Sequence, residues 1–322
     1  MVLAVLVPSN LAERMRIWLR KKELLSDTHL LRKTDDGRRV VIPVKRKFRL
    51  VGDVPLQFAN VKLPQKCQRK EVKLPYDLIG NVCIFKDGAK GIKYSNEAKK
   101  IVKLYGFVRT VYLKYGGVEG VERVPKLKLI CGTDDPVTLH RENGLRFLVD
   151  VKRTYFNPRL SFERLELANS VKKGEKVLDM FAGVGPFSIT IAKLAGAYVD
   201  AVDINKHAFE LLLRNIQINK VSTLVKGYNM DASKYTNKAA YDRIIMNLPF
   251  NSLNYISTAL QSCKNNAVIH MYLAQRSSDD DLLQVMETKF RQCYTKYIIE
   301  KQRRVFDYSP RRAIIRFDIK LV

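Results

Sequence analysis

Acidic residues are scarce in this chain: 32 Asp and Glu stand against 58 Lys and Arg, a formal charge of +26 over 322 residues. A surface adapted to heat or salt raises Glu together with Lys. The deficit therefore argues against that origin and for a field that attracts polyanions, nucleic acid first among them. Cysteine is sparse as well. Cys67, Cys83, Cys131, Cys263 and Cys293 are scattered, odd in number and free of any C-x-x-C or Cys/His cluster, which argues against a zinc site and a disulfide framework. No metal is expected. The apolar start MVLAVLVPSN lacks a basic leading segment, and Pro8 interrupts it short of signal-peptide length. No later apolar run is long enough to span a bilayer. Internal repeats and low-complexity segments are missing too. A reduced, soluble, cytoplasmic protein without membrane association is expected.

What the chain does have is enough apolar material for real cores, 46% hydrophobic against 28% charged. Its length suits one full α/β domain with one or two small modules. Residues 1–60 read as a small α+β module. A strand from Leu3 to Val7 leads to Asn10 as a helix N-cap, Leu11, Met15, Trp18 and Leu19 share a helical face, and Asp36-Gly37 reads as a hairpin turn before a strand from Val40 to Val44. After the basic cluster Lys45-Arg46-Lys47, the Pro- and Lys-rich stretch 61–75 reads as a linker. In 76–155, strands at Val82 to Phe85, Val108 to Leu113, Lys126 to Ile130 and Phe147 to Val151 surround a basic helix at Glu97 to Leu104, a middle α+β domain suited to RNA.

From 156 to 322 apolar strands alternate with amphipathic helices, the pattern of a mostly parallel, doubly wound sheet covered on both faces. The strands are Lys176 to Met180, Tyr198 to Asp203, Thr223 to Lys226, Asp242 to Met246, Ala267 to Leu273, Tyr294 to Val305 and Ala313 to Ile319, the last two an antiparallel hairpin.

The sharpest local signal is VLDMFAGVGPFSITIAK, 177–193: a strand ending at Asp179, a turn of small residues (Ala182, Gly183, Gly185), then a helix opening near Pro186. Small residues let a ligand approach the backbone at the carboxyl end of a strand. A dinucleotide site wants a third glycine where Ser188 stands, and an acid such as Asp179 repels a pyrophosphate. The same carboxylate pairs with a cationic, methionine-type cofactor, which favours S-adenosylmethionine over NAD. In AVDIN, Asp203 closes the second strand beside Ile204 and is placed for both ribose hydroxyls. Asp231, after the third strand, is placed for the adenine amino group. A single acid at a strand end is more often a helix cap; a series behind a glycine turn reverses that preference.

After the fourth strand comes Asn247-Leu248-Pro249-Phe250. A methyltransferase acting on a base nitrogen needs an amide and rigid carbonyls at this place, and an aromatic face for a flipped base. An N-P cluster is otherwise an ordinary turn.

Together, YFNPRLSFER (155–164), VLDMFAGVGPF (177–187), AVDIN (201–205), MNLPF (246–250) and RRVFDYSPRRAIIRFDI (303–319) resemble the archaeal and eukaryotic tRNA guanine-37 N1-methyltransferase family. VPSNLAERMRIWLRKKELL resembles the family's N-terminal module, and VERVPKLKLICG with LHRENGLRFLVDV its middle domain. The resemblance implies a class I, Rossmann-fold methyltransferase domain, S-adenosylmethionine as cofactor, tRNA as partner and a monomer. It also implies that the N-terminal module docks on the outer corner of the tRNA while the rest holds the anticodon stem-loop.

Guanine N1 is protonated at neutral pH, so its methylation calls for a base and for a group that stabilises charge on O6. By resemblance Glu163 matches the base and Arg123 the guanidinium at O6. Asn247 and Pro249 shape the base pocket, Arg159 and Phe250 contact the substrate, and Phe181 and Leu248 join the cofactor contacts. Phe250 is also the aromatic found in a subgroup that methylates 4-demethylwyosine at carbon 7, so guanosine 37, that tricyclic base, or both stay open as substrates. An aminocarboxypropyl transferase is disfavoured by the intact N-L-P. A silent tRNA-binding protein is disfavoured by intact Asp179, Asp203, Asp231 and Asn247.

Overall fold

A computed structural model describes every residue except 1, 10, 27–30, 35–37, 49–56, 62–71, 87–92, 120–123, 277–281, 294–295 and 310. The chain forms two compact units, Met1–Lys73 and Leu74–Val322. In the first, β1 (Val2–Pro8) is central in a four-stranded antiparallel sheet, between β3 (Arg39–Pro43) with its neighbour β2 (Arg32–Lys33) and β4 (Gln57–Val61). Helix α1 (Ala12–Lys21) contributes the buried Leu19 to a core with Val5, Val7 and Ile42. Trp18, Phe48 and Phe58 extend that core as a chain of tilted and edge-on rings. Leu11 occupies the capping position of α1 and makes no side-chain cap. The expected cap Asn10 and the expected turn Asp36-Gly37 lie outside the described residues.

The second unit opens with the hairpin β5 (Tyr76–Ile79) and β6 (Val82–Lys86). Helix α2 (Tyr94–Leu104) carries the chain to β7 (Thr110–Glu119), parallel to β6, and β8 (Val124–Gly132) completes a four-stranded sheet. A further hairpin, β9 (Val137–Glu142) and β10 (Leu145–Asp150), turns on Asn143-Gly144. Both turn residues have positive φ, 49° and 78°, the conformation that makes Asn-Gly the preferred two-residue hairpin turn.

The largest sheet has seven strands in the order β13 (Val225–Asn229), β12 (Tyr198–Asp203), β11 (Lys176–Asp179), β14 (Tyr241–Met246), β15 (Cys263–Arg276), β17 (Arg312–Leu321), β16 (Tyr297–Ser309). The first five run parallel, and β17 is antiparallel to both of its neighbours, β15 and β16. Successive strand residues enter opposite cores: Val177 and Ile245 join one, Leu178 and Ile244 the other. Helices α3 (Ser161–Ser170), α4 (Pro186–Ala195), α5 (Lys206–Ile218), α6 (Ile256–Ser262) and α7 (Leu282–Gln292) cover the two faces. The expected strand at Thr223 begins two residues later, because Val221 to Leu224 close a turn against the end of α5.

The β9–β10 hairpin is fastened to α5 by amides. Asn215 accepts from Leu148 N (2.7 Å) and donates to Leu148 O (3.0 Å), while Asn219 does the same at Arg146 (3.0 and 2.7 Å). Two amides one helical turn apart thus stand in for a neighbouring strand on β10. One core is continuous across residues 155–156, with Tyr112 and Phe147 in the same cluster as Val177 and Phe187. The strand order reverses between β11 and β14, which opens a crevice at their carboxyl ends.

Candidate active site

The turn after β11 builds the crevice floor. Gly183 and Gly185 take φ of +57° and +88°, and a Cβ on Gly185 would lie 2.4 Å from Leu212 Cδ1. Gly185 therefore lets α4 pack on α5, and Pro186 opens α4 where a missing N–H is harmless. A cavity of about 490 Å³ sits above, lined by Met180, Phe181, Ala182, Gly183 and Pro186 from this turn, by Asp203 and Ile204, and by Asp231. Asn247, Leu248 and Phe250 close another side.

Each acid of the series meets this cavity differently. Asp203 is held by two backbone donors, Gly183 N to Oδ2 (2.6 Å) and Asn205 N to Oδ1 (2.8 Å), so the strand end and the glycine turn lock each other. Asp231 caps the short helix Ala232–Lys234 by accepting from Ser233 N (2.8 Å) while still lining the cavity. Asp179 is 1% exposed and does not line the cavity. Its Oδ2 accepts from Ser188 Oγ at 2.7 Å, and its Oδ1 is buried without a hydrogen-bond partner. Burial pushes this carboxyl up to about 7, against the hydrogen bonds from Ser188 and the Phe181 N–H and with a contribution from Asp203.

In the Asn247–Phe250 loop two carbonyls are already occupied. Leu248 O accepts from Asn251 N, Ser252 N and Ser252 Oγ, and Pro249 O accepts from Ala274 N at 2.9 Å. These bonds hold the loop rigid, and Pro249 does not line the cavity. Phe250 does, 43% exposed, edge-on to Tyr308 (5.3 Å between centroids) and beneath the Arg312 guanidinium (5.3 Å).

Glu163 is drawn away from the cavity into a buried cluster. It is 2% exposed; Tyr272 OH (2.9 Å) and Arg316 Nη1 (2.5 Å) both donate to its Oε1, and Arg303 Nη1 lies 3.4 Å from its Oε2. Its chain neighbours Leu160 and Arg164 do line the cavity, Arg164 forming a buried two-pronged pair with Glu142 (2.6 and 2.6 Å). Arg159 instead lines an adjoining cavity of about 350 Å³ with Lys86 and Lys114, and its Nε donates to Asp77 Oδ1 at 2.8 Å. The two cavities share Tyr155, Phe156, Asn157 and Tyr308. Arg123 lies outside the described residues. Burial, joined at Cys83 by Asp77, pushes the Cys83 and Cys263 thiols up to about 12, which makes them inert.

Comparison with known proteins bears on this arrangement. Residues 138–298 match the model of the TRM5/TYW2 methyltransferase domain. A protein of Pyrococcus abyssi named tRNA (guanine(37)-N(1))-methyltransferase Trm5b is 33% identical over the whole of this chain and 99% of its own length. The chain belongs to the TRM5/TYW2 methyltransferase family. The crystal structure of Trm5b from Pyrococcus abyssi superposes with a TM-score of 0.70 at 34% identity, covering 100% of this chain and 99% of the other. A complex of aTrm5 with tRNALeu gives 0.71 at 28% identity over 99% of this chain and 100% of the other. A Nanoarchaeum equitans member named tRNA (guanine(37)-N(1))/4-demethylwyosine(37)-methyltransferase Taw22 is 36% identical over 46% of this chain and 50% of its own.

Several cavity residues of this family member escape a reading of its sequence. Tyr308 and Arg312 lie within the run RRVFDYSPRRAIIRFDI, and Tyr155 and Asn157 within YFNPRLSFER, but no spacing marks them as facing a site on another part of the chain. Tyr255, edge-on to Phe181 at 4.9 Å, has no local signal at all.

Proposed function

We propose that this chain transfers a methyl group from S-adenosylmethionine to N1 of guanosine 37 in tRNA, and acts as a monomer. One observation carries the reading: the glycine turn, Asp203, Asp231 and the Asn247–Phe250 loop all open into one cavity at the switch point of the sheet. The family membership and the full-length match to a relative of that printed activity support it.

The residues present fit the cofactor. Asp203, its carboxylate already oriented by two N–H groups, would take the ribose hydroxyls, and Asp231 the adenine amino group. Phe181 and Ile204 offer apolar walls, and the unpartnered Oδ1 of Asp179 is a buried acceptor that a cation satisfies. When bound, S-adenosylmethionine supplies an electrophilic methyl group on a sulfonium. By resemblance to the family Glu163, next to the cavity-lining Arg164, takes the N1 proton and Arg123 stabilises the charge on O6, while Asn247 lines the wall against which the base lies and Pro249 stiffens the loop behind it. Arg159 faces the neighbouring nucleotides from the adjoining cavity. Phosphate contacts by the basic surface supply most of the affinity for tRNA, with Met1–Lys73 docking on its outer corner.

A second reading is favoured by Phe250. Its exposed ring, braced by Tyr308 and Arg312, is a platform broad enough for a fused tricyclic base, so 4-demethylwyosine at position 37 is the alternative substrate. Mass spectrometry of nucleosides, after incubation with S-adenosylmethionine and tRNA bearing either base, separates the readings. N1-methylguanosine on the first tRNA is expected; no methylation of either refutes the function. Glu163→Gln should abolish methylation in a single turnover while retaining cofactor binding.

A further inference from the structure

Nothing in the proposed reaction uses the side chains that surround Glu163. Four elements supply them: Arg164 and Glu166 on α3, His270 and Tyr272 on β15, Lys301 and Arg303 on β16, Arg316 and Asp318 on β17. Arg164 is engaged with Glu142, and Lys301 and Arg303 pair with Glu166. Arg316, 3% exposed, donates to Glu163 Oε1 while Arg303 stands 3.4 Å from Oε2, and Arg316 is held from behind. Its Nη2 donates to Asp318 Oδ2 (3.0 Å), and its Nε lies 2.9 Å from Asp318 Oδ1. Asp318 Oδ1 is 2.7 Å from His270 Nδ1, and His270 Nε2 is 3.1 Å from Arg243 Nη1.

A guanidinium only donates, so His270 Nε2 accepts and Nδ1–H donates to Asp318. The imidazole is thereby neutral, in keeping with burial pushing His270 down. Arg243 is fixed in turn by Glu175 (2.6 Å) and Ser170 O (2.8 Å). The line ends at Arg316 Nη1, which donates to Glu163 Oε1 and, at 3.3 Å, to Glu166 Oε2. An isolated carboxylate as buried as Glu163 would take up a proton and lose its use as a base.

We propose that Arg316 is the positioning residue for Glu163: its guanidinium sets a full positive charge against the buried carboxylate and, with the Tyr272 hydroxyl, occupies Oε1, so that Oε2, with Arg303 Nη1 3.4 Å away, is the oxygen that takes the proton. In that step the N1–H bond breaks with its electron pair remaining on the base, and an O–H bond forms at Oε2. Tyr272 serves as donor because burial and Glu163 push its hydroxyl well above the usual phenol range. The inference rests on the reading of Glu163 as the base.

The test is the pH dependence of single-turnover tRNA methylation at saturating S-adenosylmethionine, for the full chain and for Arg316→Met, Arg316→Lys, Tyr272→Phe and Glu163→Gln. Arg316→Met should move the acid limb up by about one to three pH units. Its rate at pH 6 then falls about tenfold or more and recovers as pH rises, with the calorimetric affinity for the cofactor unchanged. Arg316→Lys should restore most of the limb, because the charge remains. Tyr272→Phe should lower the rate and raise the limb by less than Arg316→Met does, because it removes one hydrogen bond to the carboxylate and no charge. An acid limb unmoved in Arg316→Met, or moved down, overturns the positioning role. If Arg316→Met does not melt cooperatively, Arg316→Gln, which keeps a donor for Glu163 but no charge, replaces it; the same upward shift is expected, and an unmoved limb refutes. Near-normal turnover by Glu163→Gln would instead remove the base itself, a separate failure.

Discussion

Binding of S-adenosylmethionine at pH 6 should expel a proton from Asp179. Burial holds this carboxyl at about 7 in the ligand-free chain, and its Oδ1 has no hydrogen-bond partner. A cationic cofactor arriving nearby favours the ionised form. With a ligand-free value of about 7, about 0.9 of a proton leaves at pH 6 and about 0.1 at pH 8. Affinity should therefore tighten about tenfold per pH unit up to about pH 7 and level off above it.

The same shift acts on folding with a definite sign. The folded carboxyl binds its proton more strongly than the unfolded one, so its stabilising contribution is complete below the ordinary value of 3.8 and is lost as pH rises through about 7. Over that window the ligand-free chain loses up to on the order of 4 kcal/mol from this one group. Asp179→Asn, which still accepts from Ser188, should lose both the proton release and this slope, and should be more stable than the parent at pH 8 without cofactor. Titration calorimetry in two buffers of different ionisation enthalpy measures the proton directly. No release at pH 6, or the same release from Asp179→Asn, refutes the reasoning.

Other consequences concern the frame around the site. Arg164→Met leaves Glu142 buried with only His140 at 3.5 Å to pair with among its ion-pair partners, so denaturant unfolding should show a loss of about 3–5 kcal/mol, partly recovered by adding Glu142→Gln. Asn215→Ala strips partners from Leu148 N, Leu148 O and Val184 O; a destabilisation of about 3 kcal/mol is expected, with faster hydrogen exchange at the Leu148 amide, and an unchanged exchange rate would show that the hairpin is held otherwise. Gly185→Ala puts a methyl against Leu212 and Ile189 at φ +88°, so both stability and cofactor affinity should drop, whereas Gly183→Ala, whose new methyl would lie 3.7 Å from Tyr155 O, should cost only about 1–2 kcal/mol.

Much of the site was legible locally. A strand followed within a few residues by small residues and a helix is a short-range pattern, so the turn from Asp179 to Pro186, the end of β12 at Asp203 and the loop Asn247–Phe250 could be placed from spacing alone. The Asn143-Gly144 turn of the β9–β10 hairpin is an equally local pattern, but it is not among the sequence expectations, which place only the strand Phe147 to Val151 there. What a carboxylate faces is not a local property. Asp179 and Asp203 end adjacent strands, yet one turns under the glycine turn into a dry pocket and the other stays at the cavity, according to which backbone N–H groups of the folded turn point at them. Glu163 reads as a helix acid in the sequence, and its surroundings come from Tyr272 and Arg316, 109 and 153 residues away. Residue types and their short-range spacing determined that this chain has a glycine turn at a strand end, an Asn-Leu-Pro-Phe loop after a later strand and a polyanion-attracting charge. Only the tertiary structure decided which acids are buried and which face the cavity, which carbonyls are taken and which cations stand beside Glu163, because desolvation and pairing depend on groups that strand order, not sequence distance, brings together.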